Sequence, residues 1–183
     1  MADGAIATDR LILRPPAPDD LPWVLESMNT LAVMRYLGGE VRTFQEVEEG
    51  LAADCAAFSS GGHQRWTVWL RDGAVRVGRC GLFHVRSPAA PPALQGQREI
   101  GWTLAEAHWG HGYATEAARA VLAYAFGTLQ LPRVWSQTSD SNAGSTRVMG
   151  RLGFTRRADL DYVDPDYPPA DNPTTVWSMD APA

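Results

Sequence analysis

Lysine is absent from these 183 residues, and all sixteen basic side chains are arginine. A P-loop NTPase, a protein kinase and any Schiff-base enzyme each depend on a lysine amine, so those chemistries are closed. Cysteine is scarce as well: Cys55 and Cys80 cannot build a disulfide framework and fit a reducing compartment. No apolar run approaches the roughly 18 residues of a membrane span, so no membrane partner is expected. The opening MADGAIATDR holds Asp3 and Asp9 and has no apolar stretch of the kind a signal peptide carries, so a cytoplasmic location is expected. Positive charge is in deficit, with a net charge of −5 and a pI near 5.3. That balance argues against a nucleic-acid partner and accommodates a cationic one.

What is present is a globular composition, 45% hydrophobic and 20% charged. With no internal repeat and no linker-like segment, the chain reads as one domain over 1–183. At this length roughly 70% of the unfolded surface is buried on folding, enough for a core without disulfides or structural metal.

Leu11 and Leu13 alternate with Ile12 and Arg14 ahead of Pro15 and Pro16, which predicts a short strand. Asp19 is placed to cap a helix over 21–28, and a second helix is expected after Thr43. Trp66, Val68 and Leu70 alternate, and Asp72-Gly73 turns the chain into a second strand running to Val85. Residues 87–97 read as a loop, followed by a strand over 98–104, a helix over 114–126, a strand over 133–138 and a helix over 142–152. Two last strands flank the proline-rich residues 164–173. The class is α/β (α+β), a mixed, mostly antiparallel sheet of six to seven strands flanked by about four helices.

The most informative stretch is Ile100-Gly-Trp-Thr-Leu, Ala105-Glu-Ala-His, then Trp109-Gly-His-Gly-Tyr-Ala-Thr-Glu-Ala117. It is a strand, a glycine-bearing turn and a helix. Unpaired N–H groups at a helix start, with the positive end of its dipole, suit a phosphate, and Gly110 and Gly112 let the backbone approach closely. The same pattern also serves as a plain tight turn. Its context resembles the GNAT superfamily of N-acetyltransferases, most closely the branch of ribosomal-protein-alanine acetyltransferases. The resemblance covers most of the chain: Thr8-Asp-Arg-Leu-Ile-Leu-Arg14 followed by Asp19-Asp20, the Glu99-Ile-Gly-Trp102 strand, the glycine turn, and Asn142-Ala-Gly-Ser145 leading to Leu152-Gly-Phe154.

This resemblance implies the GNAT fold, with acetyl-CoA as cosubstrate and no metal. Trp109, Gly110, His111, Gly112, Tyr113 and Ala114 fall on the superfamily's phosphate-loop pattern, with Trp109 where the general pattern has Gln or Arg. It further implies that amides from Gly110 to Thr115 hold the pyrophosphate, and that Trp102, Thr103 and Leu104 pair with the pantetheine arm. His111 either touches phosphate or is solvated. Asn142 is a helix cap, a pantetheine ligand, or both.

Moving an acetyl group from a thioester to an amine needs a base, a donor for the carbonyl oxygen and a proton for the departing thiolate. Glu99 is the candidate base; the alternative is an edge-strand glutamate facing water or paired with Arg98 or Arg86. The backbone N–H of Trp102 or Thr103 is the candidate oxyanion donor. Many superfamily members place an acidic tyrosine where this chain has Met149, and Ser145 is the branch's substitute, or else simply a residue of the helix's first turn; Tyr113 and Tyr162 are weaker options. His63, His84, His108 and His111 form no recognisable metal set. Trp66, Trp69, Trp102 and Trp135 are expected in the core, and Cys80 buried and inert. The acidic run at 46–49 reads as a solvated helix face. The acceptor is a protein N-terminal α-amine or a small-molecule amine, held by the first two helices and residues 164–173, with Tyr162, Tyr167 and nearby aspartates around its charge. The resemblance is also compatible with a homodimer. The rival reading is a non-catalytic acyl-CoA-binding module. A dinucleotide-dependent oxidoreductase is disfavoured because its third glycine is Thr115 here and the turn comes late in the chain.

Overall fold

The computed structural model describes residues 4–60 and 64–182; His63 lies outside them. Two short strands open the chain, β1 (Ile6–Ala7) and β2 (Leu11–Arg14). Pro15 and Pro16 lack the N–H a ladder needs, and the chain leaves the sheet. A helical run follows: a 3-10 turn at Pro18–Asp20, α1 (Leu21–Trp23) and a π turn at Val24–Met28. Asp19 does not cap this run. Asp20 anchors it instead, accepting from the Ala17 N–H at 3.1 Å, the Thr67 hydroxyl at 2.7 Å and Arg76 Nε at 2.7 Å. A carboxylate this deeply buried is tolerated because its donors replace water. Thr30 then caps a short helix that periodicity did not reveal, α2 (Leu31–Met34). α3 (Phe44–Ser59) begins with a reciprocal capping box between Thr43 and Glu46, and buries Val47 and Leu51.

The hairpin of β3 (Gln64–Leu70) and β4 (Arg76–His84) turns at Gly73, whose φ of +97° suits glycine. Then come β5 (Arg98–Leu104), α4 (Tyr113–Gly127), β6 (Arg133–Ser139), α5 (Ala143–Leu152), β7 (Thr155–Arg156) and β8 (Thr174–Asp180). The eight strands form one sheet in the order β1-β2-β3-β4-β5-β6-β8-β7. All neighbours are antiparallel except β5 and β6. The class is as expected, with eight strands and five α-helices among the described residues. The extra members, β1 and α2, are too short to carry a period.

α4 and α5 cover one face of the sheet, where Leu11, Leu13, Trp66, Val68, Leu82 and Ile100 meet Ala118, Val121 and Met149. Val24, Met28, Val33 and Val47 form a second core between α1, α2 and α3. A third gathers Val85, Leu94, Trp135 and Val176. Trp66 and Trp135 are buried and Trp102 is half-buried against the main core. Trp69 departs from expectation: half-buried, it is stacked on by Arg14 at 4.7 Å and Arg76 at 4.1 Å. Arginine also stacks on Trp135, from Arg133 and Arg157, and on Trp177, from Arg156.

Candidate active site

Strands β5 and β6 are in register at one pair, Glu99 with Trp135. Just beyond it the Ser136 hydroxyl donates to the Ile100 carbonyl at 3.0 Å, and from there the strands part. Which β5 groups line the opening follows from the antiparallel ladder on its other edge, where alternate residues turn their backbone polar groups toward β4. Ala105 N–H donates to Val77 O at 3.0 Å, so Thr103 and Gly101 also face β4. Trp102 and Leu104 therefore turn their N–H groups into the gap. The Leu104 carbonyl, on that same side, accepts from the indole N–H of Trp109 at 2.8 Å. Thr103 contributes its backbone to the sheet instead.

The gap runs out at the glycine turn. Gly110 and Gly112 have φ of +79° and +80°, a conformation that glycine adopts without penalty. Gly112 caps α4 with no side-chain hydrogen bond, so the N–H groups of Tyr113, Ala114 and Thr115 are left for an external acceptor. The hydroxyl of Thr115, buried in the same turn, has no hydrogen-bond partner. His111 Nδ1 lies 2.8 Å from the Trp109 carbonyl, and the His111 ring stacks on Tyr113 at 5.5 Å. Among the described residues no group of three or more His, Cys, Asp or Glu could hold a metal ion. No helix among them is long and apolar enough to cross a membrane.

Glu99 sits at the apex where β5 and β6 part, on the sheet face opposite α4. Its pairing is not with Arg98 or Arg86; Gln137 Nε2 donates to its carboxylate at 2.6 Å, and Gln137 Oε1 accepts from the Tyr162 hydroxyl at 2.7 Å. Burial pushes the Glu99 carboxyl above its ordinary range, and the Gln137 bond offsets part of that rise. Burial likewise pushes the Tyr162 hydroxyl up to about 12, with Asp164 and Glu99 adding to the effect. Tyr167 is raised for the same reasons. Beside this group opens a cavity of about 330 Å³, lined by Leu37, Gly38, Arg86, Asp164, Asp166 and Tyr167.

A family model described as "Acetyltransferase (GNAT) domain" matches residues 10–155. The chain belongs to the GNAT acetyltransferases. An uncharacterized N-acetyltransferase of Bacillus subtilis, YoaA, is 28% identical over 176 residues, spanning 95% of each chain. The crystal structure of an acetyltransferase from Agrobacterium tumefaciens superposes with a TM-score of 0.76 at 31% identity, covering 98% of this chain and 95% of that one. A Salmonella typhimurium acetyltransferase that modifies the N-terminal serine of ribosomal protein L7/L12 shares the fold at a TM-score of 0.76 and 16% identity, covering 96% and 98%.

In this GNAT acetyltransferase the head of α5 is organised by Asn142, whose Oδ1 accepts from the Ser145 N–H at 3.1 Å. Ser145 is thus held half-buried in the first turn. Met149, one turn further on, is 1% exposed and packed in the main core, so nothing from that position reaches the gap. Cys80 is buried, and its thiol is pushed up to about 12 by desolvation. Two features had no signal in the sequence. Gln137 is an ordinary strand residue until the fold sets it beside Glu99. Arg35 pairs with the buried Asp171, which also accepts from the Ser141 hydroxyl at 2.6 Å; with Tyr36 donating to the Ser141 carbonyl at 3.0 Å, this straps the α2 end to the β6–α5 turn.

Proposed function

We propose that this acetyltransferase takes acetyl-CoA and passes the acetyl group directly to a primary amine. The observation that carries the reading is the gap between β5 and β6, which leads from the unpaired N–H groups of Trp102 and Leu104 to the uncapped start of α4. The residues present fit a pantetheine–pyrophosphate ligand: strand amides suit the arm, and the Gly110 to Thr115 amides with the orphaned Thr115 hydroxyl suit the phosphates. When bound, acetyl-CoA supplies an activated acyl group. Glu99 takes the proton of the incoming ammonium, whose free pKa of about 8 to 10 leaves it mostly charged at neutral pH. The Trp102 N–H, not that of Thr103, donates to the carbonyl oxygen as it gains charge. Ser145, at the head of α5, delivers the proton to the departing thiolate. Asn142 fixes that turn.

The cavity beside Tyr167 is where the acceptor enters, with Asp164 and Asp166 attracting its ammonium. The fold shared with an enzyme that modifies a protein N-terminus supports an α-amine acceptor. The modest volume of the cavity supports a small amine as the second reading.

Thermal unfolding with acetyl-CoA, CoA or NADPH added separately tests the cosubstrate. The two CoA species at ~100 times their dissociation constants stabilise by about 2.7 kcal/mol, and NADPH has no effect. No shift with CoA would sink the reading. Thiol release with N-terminal peptides and with small amines then identifies the acceptor.

Glu99 must be ionised to act, so the acid limb of kcat/KM lies above the usual glutamate value of about 4.3. Gln137→Leu removes the bond that favours the carboxylate, and the limb moves to still higher pH. A pH–rate profile unchanged by this substitution would show that Glu99 is not the titrating base.

A further inference from the structure

We infer that Arg10, in the link between β1 and β2, is a positioning residue for the phosphate-binding turn; the inference rests on the proposal that this turn holds the pyrophosphate of CoA. Glu116, in the first turn of α4, is saturated from the N-terminal segment. Its Oε1 accepts from the Thr8 hydroxyl at 2.6 Å and the Arg10 N–H at 2.9 Å. Its Oε2 accepts from Arg10 Nε at 2.7 Å and lies 2.6 Å from Nη2 of the same guanidinium in an ion pair. Arg10 then reaches across the turn: Nη1 donates to the His111 carbonyl at 3.0 Å, and the guanidinium lies 4.8 Å from the Tyr113 ring centre.

Two consequences follow from this geometry. A trans peptide is planar, with C=O and N–H pointing in opposite directions. By holding the His111 carbonyl, Arg10 therefore aims the Gly112 N–H the other way, away from the clasp. The bond between His111 Nδ1 and the Trp109 carbonyl does the same for the Gly110 N–H. Second, a bare carboxylate one turn inside α4 would repel any anion at the helix start, and Arg10 neutralises it. Because that charge is already matched by Glu116, Arg10 acts through the backbone and not as a counter-ion for phosphate.

Arginine is required in this role because one rigid fork spans a carboxylate and a carbonyl, which a lysine ammonium does not reproduce. Titration of CoA and of 3′-dephospho-CoA into purified variants tests the inference. Arg10→Lys and Arg10→Ala are expected to weaken both ligands by the same factor, about tenfold, the scale of one lost charged hydrogen bond. With acetyl-CoA saturating, kcat stays near wild type. Adding Glu116→Gln to Arg10→Ala recovers part of the loss, because the unscreened carboxylate is gone. Arg71→Ala is the control for ordinary anchoring, since Arg71 holds the same segment from outside the turn through the Thr8 carbonyl at 2.7 Å. It should lower Tm and leave both affinities intact.

Full CoA affinity in Arg10→Lys overturns the inference, as does a loss confined to CoA and absent with its dephospho form, which would mark a direct phosphate contact. An equal loss of affinity in Arg71→Ala overturns it too. Wild-type protein that binds neither ligand overturns the cosubstrate reading and the clasp with it, whereas a binding wild type beside an unaffected Arg10→Lys overturns the clasp alone.

Discussion

Glu99→Gln is expected to lower kcat by about 10²- to 10⁴-fold, the range lost when a positioned general base is removed, while raising Tm at neutral pH. Both effects share one cause. Burial holds the Glu99 carboxyl above its ordinary range, so the folded chain binds its proton more tightly than the unfolded chain does. Stability from this group is therefore complete below the unfolded value of about 4.3 and is lost as pH rises through the folded one. At neutral pH the ionised carboxylate is a liability to the fold, and glutamine, which cannot ionise, removes it. Activity and melting temperature measured together at pH 5 and pH 8 check the pair. The gain in Tm should shrink at the lower pH; a gain equal at both would mean that desolvation of the charge is not its source.

Gly78→Ala should damage both fold and site. A Cβ there would lie 2.3 Å from Leu104 Cδ2, 2.5 Å from the Thr103 carbonyl oxygen and 2.9 Å from Leu104 Cα. Two of these are backbone-framework atoms that no rotamer change can move, so β4 and β5 must separate at the end that aims Trp102 and Leu104 into the gap. Overpacking of this kind destabilises by about 1–3 kcal/mol. The kinetic signature is a raised KM for acetyl-CoA, because the strand amides are displaced while the glycine turn is untouched. Gly110→Ala separates the two causes: its Cβ meets open space, so its effect comes from the positive φ alone. A Gly78→Ala protein with wild-type Tm and KM would refute the proposed closeness of β4 and β5.

Much of this fold is legible in the sequence because its long elements carry clear periods. The strand Arg98–Leu104 and the helix that begins at the glycine turn stand where alternation and the Gly-x-Gly signal put them. What period cannot convey is pairing over distance. Thr8, Arg10 and Glu116 are all visible as parts of motifs, yet nothing local says that residues more than a hundred positions apart share a carboxylate. The same holds for Glu99 and Gln137, whose meeting depends on a parallel register fixed at one pair of residues. Asp19 reads as the cap from its place ahead of Leu21, yet the structure anchors the run through its neighbour. The choice of Asp20 was made by Thr67 and Arg76, which only the sheet brings near. At Met149 the helical spacing is regular, but only the fold reveals that this side chain faces the core and not the gap.

The arginine stacks on Trp69, Trp135 and Trp177 bear on how such a protein ages. A thioester acyl donor modifies exposed lysine amines without any enzyme's help, erasing a charge each time. Guanidinium groups stay protonated at neutral pH and offer no nucleophilic lone pair. Here every side-chain cation is a guanidinium, including the two that stack on Trp69 and those that pair with Asp20 and Glu116. The charge pattern around β3 and the glycine turn therefore presents no lysine amine for a thioester to acylate, however long the two are kept together.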